Sequence, residues 1–355
     1  LAGGILFTTE DQVADVYIVR RTPVKKNSIG YIGEFPPPYG GVTIKNRLLY
    51  DCIKPFMPIK TYHSGGLKNY TKLLFSIVFT QKTYIIGISA STGKSLLISR
   101  ILYNVNRKSM RRSLYFMMGG IESKRIAESQ KEIKMYSEYK KIYVETEEMK
   151  NTLLRAGLEN VDYFPNGRKK PTFSVLNLDK PKMKCVFFSN ICEMKGCTII
   201  FDAAKQCPDV EFIFYGPLDK EYESFFMESV NSMDNVEYLG IFKGTNDDTY
   251  RELSRYDILL FPTKYSTEGV PGILVEAKIS GLTIIASANS HNAELIKYNE
   301  GIILKKNDAS TLVQAISAYN LDRNKLRTHK DKSKASADRF YIDNYIDSIV
   351  KELNG

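Results

Sequence analysis

Histidine is scarce in this sequence. The three residues, at positions 63, 291 and 329, are too scattered to suggest a metal site. The five cysteines, 52, 185, 192, 197 and 207, form no Cys-x-x-Cys pair and fall mostly in apolar segments, so they read as buried free thiols rather than metal ligands. No uninterrupted apolar run is long enough to span a bilayer, which takes about 18 residues or more. The start also lacks a charged segment followed by an apolar core and a cleavage site, so no secretory signal is read and a cytoplasmic protein is expected. No zinc spacing, aromatic RNA-binding signature or DNA-recognition motif accompanies the basic charge, which argues against nucleic acid as a partner.

What is present is length, charge asymmetry and a repeating α/β pattern. A chain of 355 residues suits two domains of ordinary size. The net charge of +10 is uneven: residues 1–170 hold 28 Lys and Arg against 14 Asp and Glu, and residues 171–355 hold 22 against 26. Two clusters in the basic half, Arg107–Arg112 and Lys68–Phe79, mix cations with apolar residues. They read either as interfacial segments on an anionic membrane or as solvated helix faces over a core.

Strands and helices alternate from residue 28 onward, which predicts parallel, doubly wound sheets. In the first half, strands are predicted at Ile29–Phe35, Tyr84–Ser89, Leu114–Met118 and Lys141–Thr146, with helices at Val42–Ile53, Leu67–Phe79, Ser95–Asn104 and Glu147–Ala156. Residues 1–27 precede this series and receive no role. The Pro-containing polar stretch 167–182 reads as a linker between a domain at 28–166 and a second at 183–336. A terminal helix is predicted over Ala337–Leu353.

The most informative stretch is Thr267–Lys278. Tyr256–Pro262 reads as a buried strand and Ile273–Ser280 as a helix, so Glu268 sits in the intervening loop and Glu276 in the helix. Gly269 and Gly272 let the backbone approach a ligand, and the amides of the helix N-terminus can receive an anion. The Pro36–Gly41 turn before the first helix offers a similar N-terminus at Gly40 and Gly41. Gly87–Ser95 looks like a P-loop, but five residues separate its glycines where the pattern has four.

The Glu268…Glu276 pair resembles the Glu-x7-Glu signature of the retaining glycosyltransferases of family 4, also called group 1 glycosyltransferases. Ala277–Ser287 is similar to the segment that follows it there, with Thr283 in the usual proline's place. Phe187–Gly196 resembles the family's Lys-Gly phosphate-binding element, and Gly33–Gly41 its first strand and glycine-rich loop.

The resemblance implies a GT-B architecture, two Rossmann-like domains facing across a cleft, with a C-terminal helix over 337–355 crossing back to the first domain. It implies a nucleotide diphosphate sugar as donor, a UDP-sugar before a GDP-sugar, and a saccharide or lipid-linked acceptor, with neither metal nor cofactor. Glu268 would hold donor-sugar hydroxyls and Glu276 the ribose. Gly269, Val270, Pro271 and Gly272 would line the sugar and phosphates, and Lys195 would neutralise the departing diphosphate.

Asn190 stands where many relatives have an arginine, and could donate one hydrogen bond there. Met118 stands where many have a histidine beside the transferred sugar. Glu294 matches a position expected to cap or orient the 287–292 loop. The enzyme expected is of the kind that builds capsule, exopolysaccharide or O-antigen, working in the cytoplasm or at the inner face of the plasma membrane. A catalytically silent sugar-nucleotide-binding protein and a P-loop phosphotransferase are the alternative readings.

Overall fold

The computed structural model describes residues 29–37, 40–63, 67–88, 93–174, 181–266, 269–289, 291–297 and 299–355. Among these described residues, twelve strands form two all-parallel sheets of six. The first half contributes β1 (Ile29–Gly33), β2 (Ile59–His63), β3 (Tyr84–Gly87), β4 (Leu114–Phe116), β5 (Lys141–Val144) and β6 (Val161–Tyr163), in the order β2-β1-β3-β4-β5-β6. The second half contributes β7 (Lys184–Phe188), β8 (Glu211–Tyr215), β9 (Val236–Tyr238), β10 (Ile258–Phe261), β11 (Thr283–Ser287) and β12 (Gly301–Leu304), in the order β12-β11-β10-β7-β8-β9. Helices connect the strands, so the central strands are covered on both faces and read as continuous apolar runs; β3 and β10 are buried at every position.

The strands are shorter at their C-terminal ends than the apolar runs suggest, because those ends turn into loops at the edge of the sheet. The edge strand β2 and the short helices Glu122–Ala127 and Gln130–Tyr136 carry no clear periodicity, and the sequence reading gives them no element. The long helix Arg323–Ala335 is so polar that it too goes unread. The P-loop-like stretch runs from Gly87 at the end of β3 to the helix Lys94–Val105, and its residues 89–92 lie outside the described residues.

The predicted terminal helix is broken. A 3-10 turn covers Ser336–Phe340, Tyr341 is extended, and the helix proper is Asp343–Asn354. The break has a partner: the amide of Arg168 donates to the Phe340 carbonyl (2.8 Å), and the amide of Ile342 donates to the Arg168 carbonyl (2.9 Å). The helix that follows packs Ile346 and Ile349 into the first domain's core, beside Ile29, Leu49 and Ile53.

The basic cluster at Arg107–Arg112 is held by the protein itself. Arg107 and Arg111 both pair with Glu138, and Arg112 donates to the Gln81 carbonyl. By contrast, the Leu67–Phe79 helix leaves Phe75 and Phe79 64% and 70% exposed, their rings 4.7 Å apart.

In the second domain Lys278 is fully buried and pairs with Glu300, with Ser336 Oγ 2.9 Å from its ammonium. Burial lowers the Lys278 pKa to about 8, against the pull of Glu300. Glu300→Ala would leave that ammonium buried without a counter-charge and is expected to cost about 3 kcal/mol or more. Urea denaturation of wild type and variant measures the loss, and an unchanged midpoint would refute this account of the pair.

Candidate active site

Each sheet has one place where the direction of strand addition reverses: between β1 and β3 in the first, and between β7 and β10 in the second. In open α/β sheets ligands settle outside the C-terminal strand ends at such points. Here the two edges face one another and enclose a cavity of about 370 Å³. Gly41, Lys45, Met118, Gly119, Glu122 and Glu145 line it from the first domain, and Gly269 and Val270 from the second.

On the first-domain side, Asn46 ties the switch point together. Its amide donates to the carbonyls of Glu34 (2.9 Å) and Gly87 (2.8 Å) and accepts from the Tyr31 hydroxyl (3.0 Å). A side chain on Gly87 would run into Asn46, so β3 has to end in glycine. The helix Gly41–Ile53 then starts at the cavity. Gly40 is extended, its amide donates to Thr43 Oγ1 (2.9 Å), and no acidic residue occupies the first turn. A Cβ on Gly40 or Gly41 would meet nothing within 4 Å, so this N-terminus is open on that side.

On the second-domain side, β7 leads through the exposed Asn190 into a 3-10 turn, Glu193–Lys195. Gly196 has φ 81° and the Pro262 carbonyl occupies the space of its missing side chain, so only glycine fits. This close approach sets the Lys195 ammonium 5.3 Å from the ring centres of both Phe261 and Tyr265. Lys195 and Asn190 sit at the β7 edge and do not line the cavity itself.

Thr267 and Glu268 lie outside the described residues. The rest of their loop crosses the cleft: a Cβ on Gly269 would stand 3.1 Å from Glu145 Oε2 and 3.2 Å from Gly119 Cα. Pro271 precedes the helix Gly272–Ile279 in extended conformation. The space beside Gly272 is filled by the guanidinium of Arg168, whose Nε donates to Glu276 Oε1 at 2.8 Å. Glu276 therefore already has a partner within the protein, with its side chain one-fifth exposed. Arg168 Nη1 also donates to Asn166 Oδ1 (2.9 Å) and the Gly167 carbonyl (3.0 Å), and Asn166 Nδ2 donates to the Val270 carbonyl (2.7 Å).

Sequence reasoning places Asn166 in the first domain's closing segment and Arg168 in the linker, with no role for either. The turn signal Pro165-Asn166-Gly167, at the start of that linker, is what could have marked them. It also assigns nothing to two buried acids on the cavity wall. Glu145, just after β5, pairs with Lys45. Glu122 receives Ser95, Tyr115, Tyr136 and Arg125, and its burial raises the carboxyl pKa against those bonds. Glu145 opens the run Glu-Thr-Glu-Glu that reads simply as the acidic start of a helix, and Glu122 stands alone after Gly120 and Ile121, so no spacing rule singles out either. Met118 is buried at the cavity wall with its methyl beside Gly87. Glu294 does something other than order its own loop: its carboxylate accepts the amides of Glu147 (2.7 Å) and Glu148 (3.2 Å), capping a first-domain helix from across the cleft.

Arg168→Met would strip the pair with the partly buried Glu276 and two further bonds while leaving the chain's course intact. A loss of about 2 kcal/mol or more is expected in chemical denaturation. Wild-type stability in that variant would show that the guanidinium contributes nothing net.

Residues 169–336 match the family described as Glycosyl transferases group 1. No curated protein matches the chain. Among solved structures, HepE of Anabaena in complex with UDP and glucose is 16% identical, with 92% of this chain and 99% of that chain covered and a TM-score of 0.67. Sucrose-phosphate synthase from Thermosynechococcus elongatus is 15% identical over 92% and 98%, with a TM-score of 0.70. A glycosyltransferase from Rickettsia africae is 14% identical over 92% and 98%, with a TM-score of 0.67. The chain thus has the two-domain GT-B fold, and the match to the group 1 glycosyltransferases falls on its second domain.

Proposed function

We propose that this protein is a retaining, metal-independent glycosyltransferase of family 4. It transfers a sugar from a nucleotide diphosphate sugar, a UDP-sugar before a GDP-sugar, to a hydroxyl of a saccharide or lipid-linked saccharide in surface polysaccharide synthesis. The observation that carries the reading is the cavity at the two facing switch points, where the Gly269–Gly272 loop of the Glu-x7-Glu stretch meets the open helix N-terminus at Gly41. In this reading the bond from the sugar's anomeric carbon to the phosphate oxygen breaks and a bond to the acceptor oxygen forms on the same face. The acceptor proton passes to the departing phosphate. Lys195 and the helix N-termini stabilise the diphosphate charge in place of a metal ion, and Glu268 orients the sugar.

UDP is expected to raise the melting temperature without added metal, and the rise should survive EDTA. At one hundred times the dissociation constant the gain is about 2.7 kcal/mol. Lys195→Ala and Glu268→Gln should each lower turnover of the donor about a hundredfold or more, read by release of UDP. UDP binding with no turnover of any donor would favour the silent binding protein instead.

The exposed Phe75 lines a second cavity of about 350 Å³ together with Lys60, Lys72 and Lys82, and the exposed Phe79 packs against its ring. We read this face as the one that meets an anionic membrane at the inner side of the cell, because it joins exposed apolar rings to cations that pair with no carboxylate among the described residues. Phe75→Ser, Phe79→Ser and Lys72→Gln together should cut cosedimentation with phosphatidylglycerol vesicles about tenfold or more, with donor hydrolysis unchanged. Neutralising Arg107, Lys108, Arg111 and Arg112 should have the smaller effect, and the reverse ranking would move the membrane face to that cluster.

A further inference from the structure

The histidines are scattered along the sequence, but the fold carries one of them to a pair of acids. Glu148 lies in the first turn of the helix Glu147–Arg155, in the first domain, while His291 and Glu294 belong to the segment after β11 in the second. One ligand atom from each of the three lies within 4.8 Å of the others. None of the three lines the cavity described above, so the cluster is separate from it.

The imidazole is the member that the protein's own contacts leave unfinished. His291 is 7% exposed, and its Nδ1 has no hydrogen-bond partner. The direction of that nitrogen is nevertheless fixed: Glu148 Oε2 stands 3.2 Å from it, outside hydrogen-bonding geometry. The Glu148 side chain is 53% exposed, so an ion from solution reaches the cluster from that side. In the tautomer with its proton on Nε2, Nδ1 holds a lone pair with nothing to receive it.

Charge and spacing both call for a cation. Glu148 and Glu294 bring two like charges together, and among the described residues neither forms an ion pair with a lysine or arginine. The amides of Glu147 and Glu148 donate one to each oxygen of Glu294, which orients the carboxylate and leaves each oxygen a second lone pair. Two ligand atoms about 2.0 Å from a tetrahedral zinc ion stand about 3.3 Å apart. The separation of His291 Nδ1 and Glu148 Oε2 is close to that value. One imidazole with two carboxylates is a nitrogen and oxygen set of the kind zinc takes, with water in the fourth position, whereas magnesium and calcium prefer oxygen alone.

We propose that Glu148, His291 and Glu294 bind one divalent transition-metal ion, zinc by preference, that bridges the two domains. The three ligands come together only while the domains are apposed, so occupancy of the site and closure of the cleft favour each other. The ion takes no part in the transfer reaction, and the proposal stands independently of the sugar-transfer reading.

The full chain is stripped with EDTA, dialysed free of it and titrated by calorimetry with zinc chloride, with magnesium chloride as the oxygen-preferring control. Wild type should bind one zinc ion per chain and show no competition from magnesium in equal amount. Glu148→Gln and His291→Ala should each weaken zinc binding about tenfold or more, with circular dichroism unchanged. Zinc at one hundred times the wild-type dissociation constant should raise the wild-type Tm by about 2 °C or more and that of each variant by less. If His291→Ala does not fold, Glu148→Gln decides alone, since its side chain is exposed. No zinc binding by wild type, or equal binding by wild type and Glu148→Gln, overturns the proposal. Zinc held instead by the partly exposed thiols Cys52 or Cys192 would survive both substitutions and vanish on alkylation, which overturns it as well.

Discussion

The arrangement of the cleft depends on one guanidinium. Arg168 is buried where the chain leaves the first domain, and its side chain is held by Glu276, Asn166 and the Gly167 carbonyl. Its backbone pairs with the segment on which the chain returns, and its side chain fills the space beside Gly272. Three separate stretches, the exit, the motif helix and the return, are thereby fixed against each other. A buried cation is costly unless fully partnered, and the number of partners here explains why the stretches keep one mutual position. Asn166 extends the same knot to the Val270 carbonyl, at the edge of the cavity.

The cavity inherits its character from that placement. The second domain presents backbone, Gly269 and Val270, while the first presents charged side chains already matched in pairs. The Gly41–Ile53 helix brings the partial charge of its amides to the cavity's margin, and Lys195 lies outside the lining, over two aromatic faces. Anion and sugar would thus meet different physics within a few residues of each other. Such separation is what a donor with a charged half and a neutral half requires.

Much of the fold was legible because parallel strands buried on both faces leave an unmistakable apolar run. The helix Leu67–Phe79 matches its predicted bounds, β10 lies within the predicted run Tyr256–Pro262, and the two-sheet architecture follows from the alternation. What escaped was whatever the core does not pattern. Strand β2 is an edge with two of its five residues exposed, Arg323–Ala335 has almost no apolar face, and the terminal helix breaks at Tyr341 through bonds to a residue more than 170 positions away. The site divides the same way. Loops of glycine and proline between a strand and a helix announce themselves locally, whereas Arg168, Glu145 and Glu122 matter through partners distant in sequence. Glu294 shows the limit most plainly, since its loop position is visible in sequence but the helix it caps lies in the other domain.

The bridge between Arg168 and Tyr341 has a mechanical consequence. Both covalent passages between the domains lie side by side, joined by hydrogen bonds, so they act as a single strap at one edge of the cleft. Sliding one domain past the other would shear both passages at once and break those bonds. Rotation about the strap leaves them intact. The molecule is therefore built like a book bound along one spine, and opening is a single angular motion.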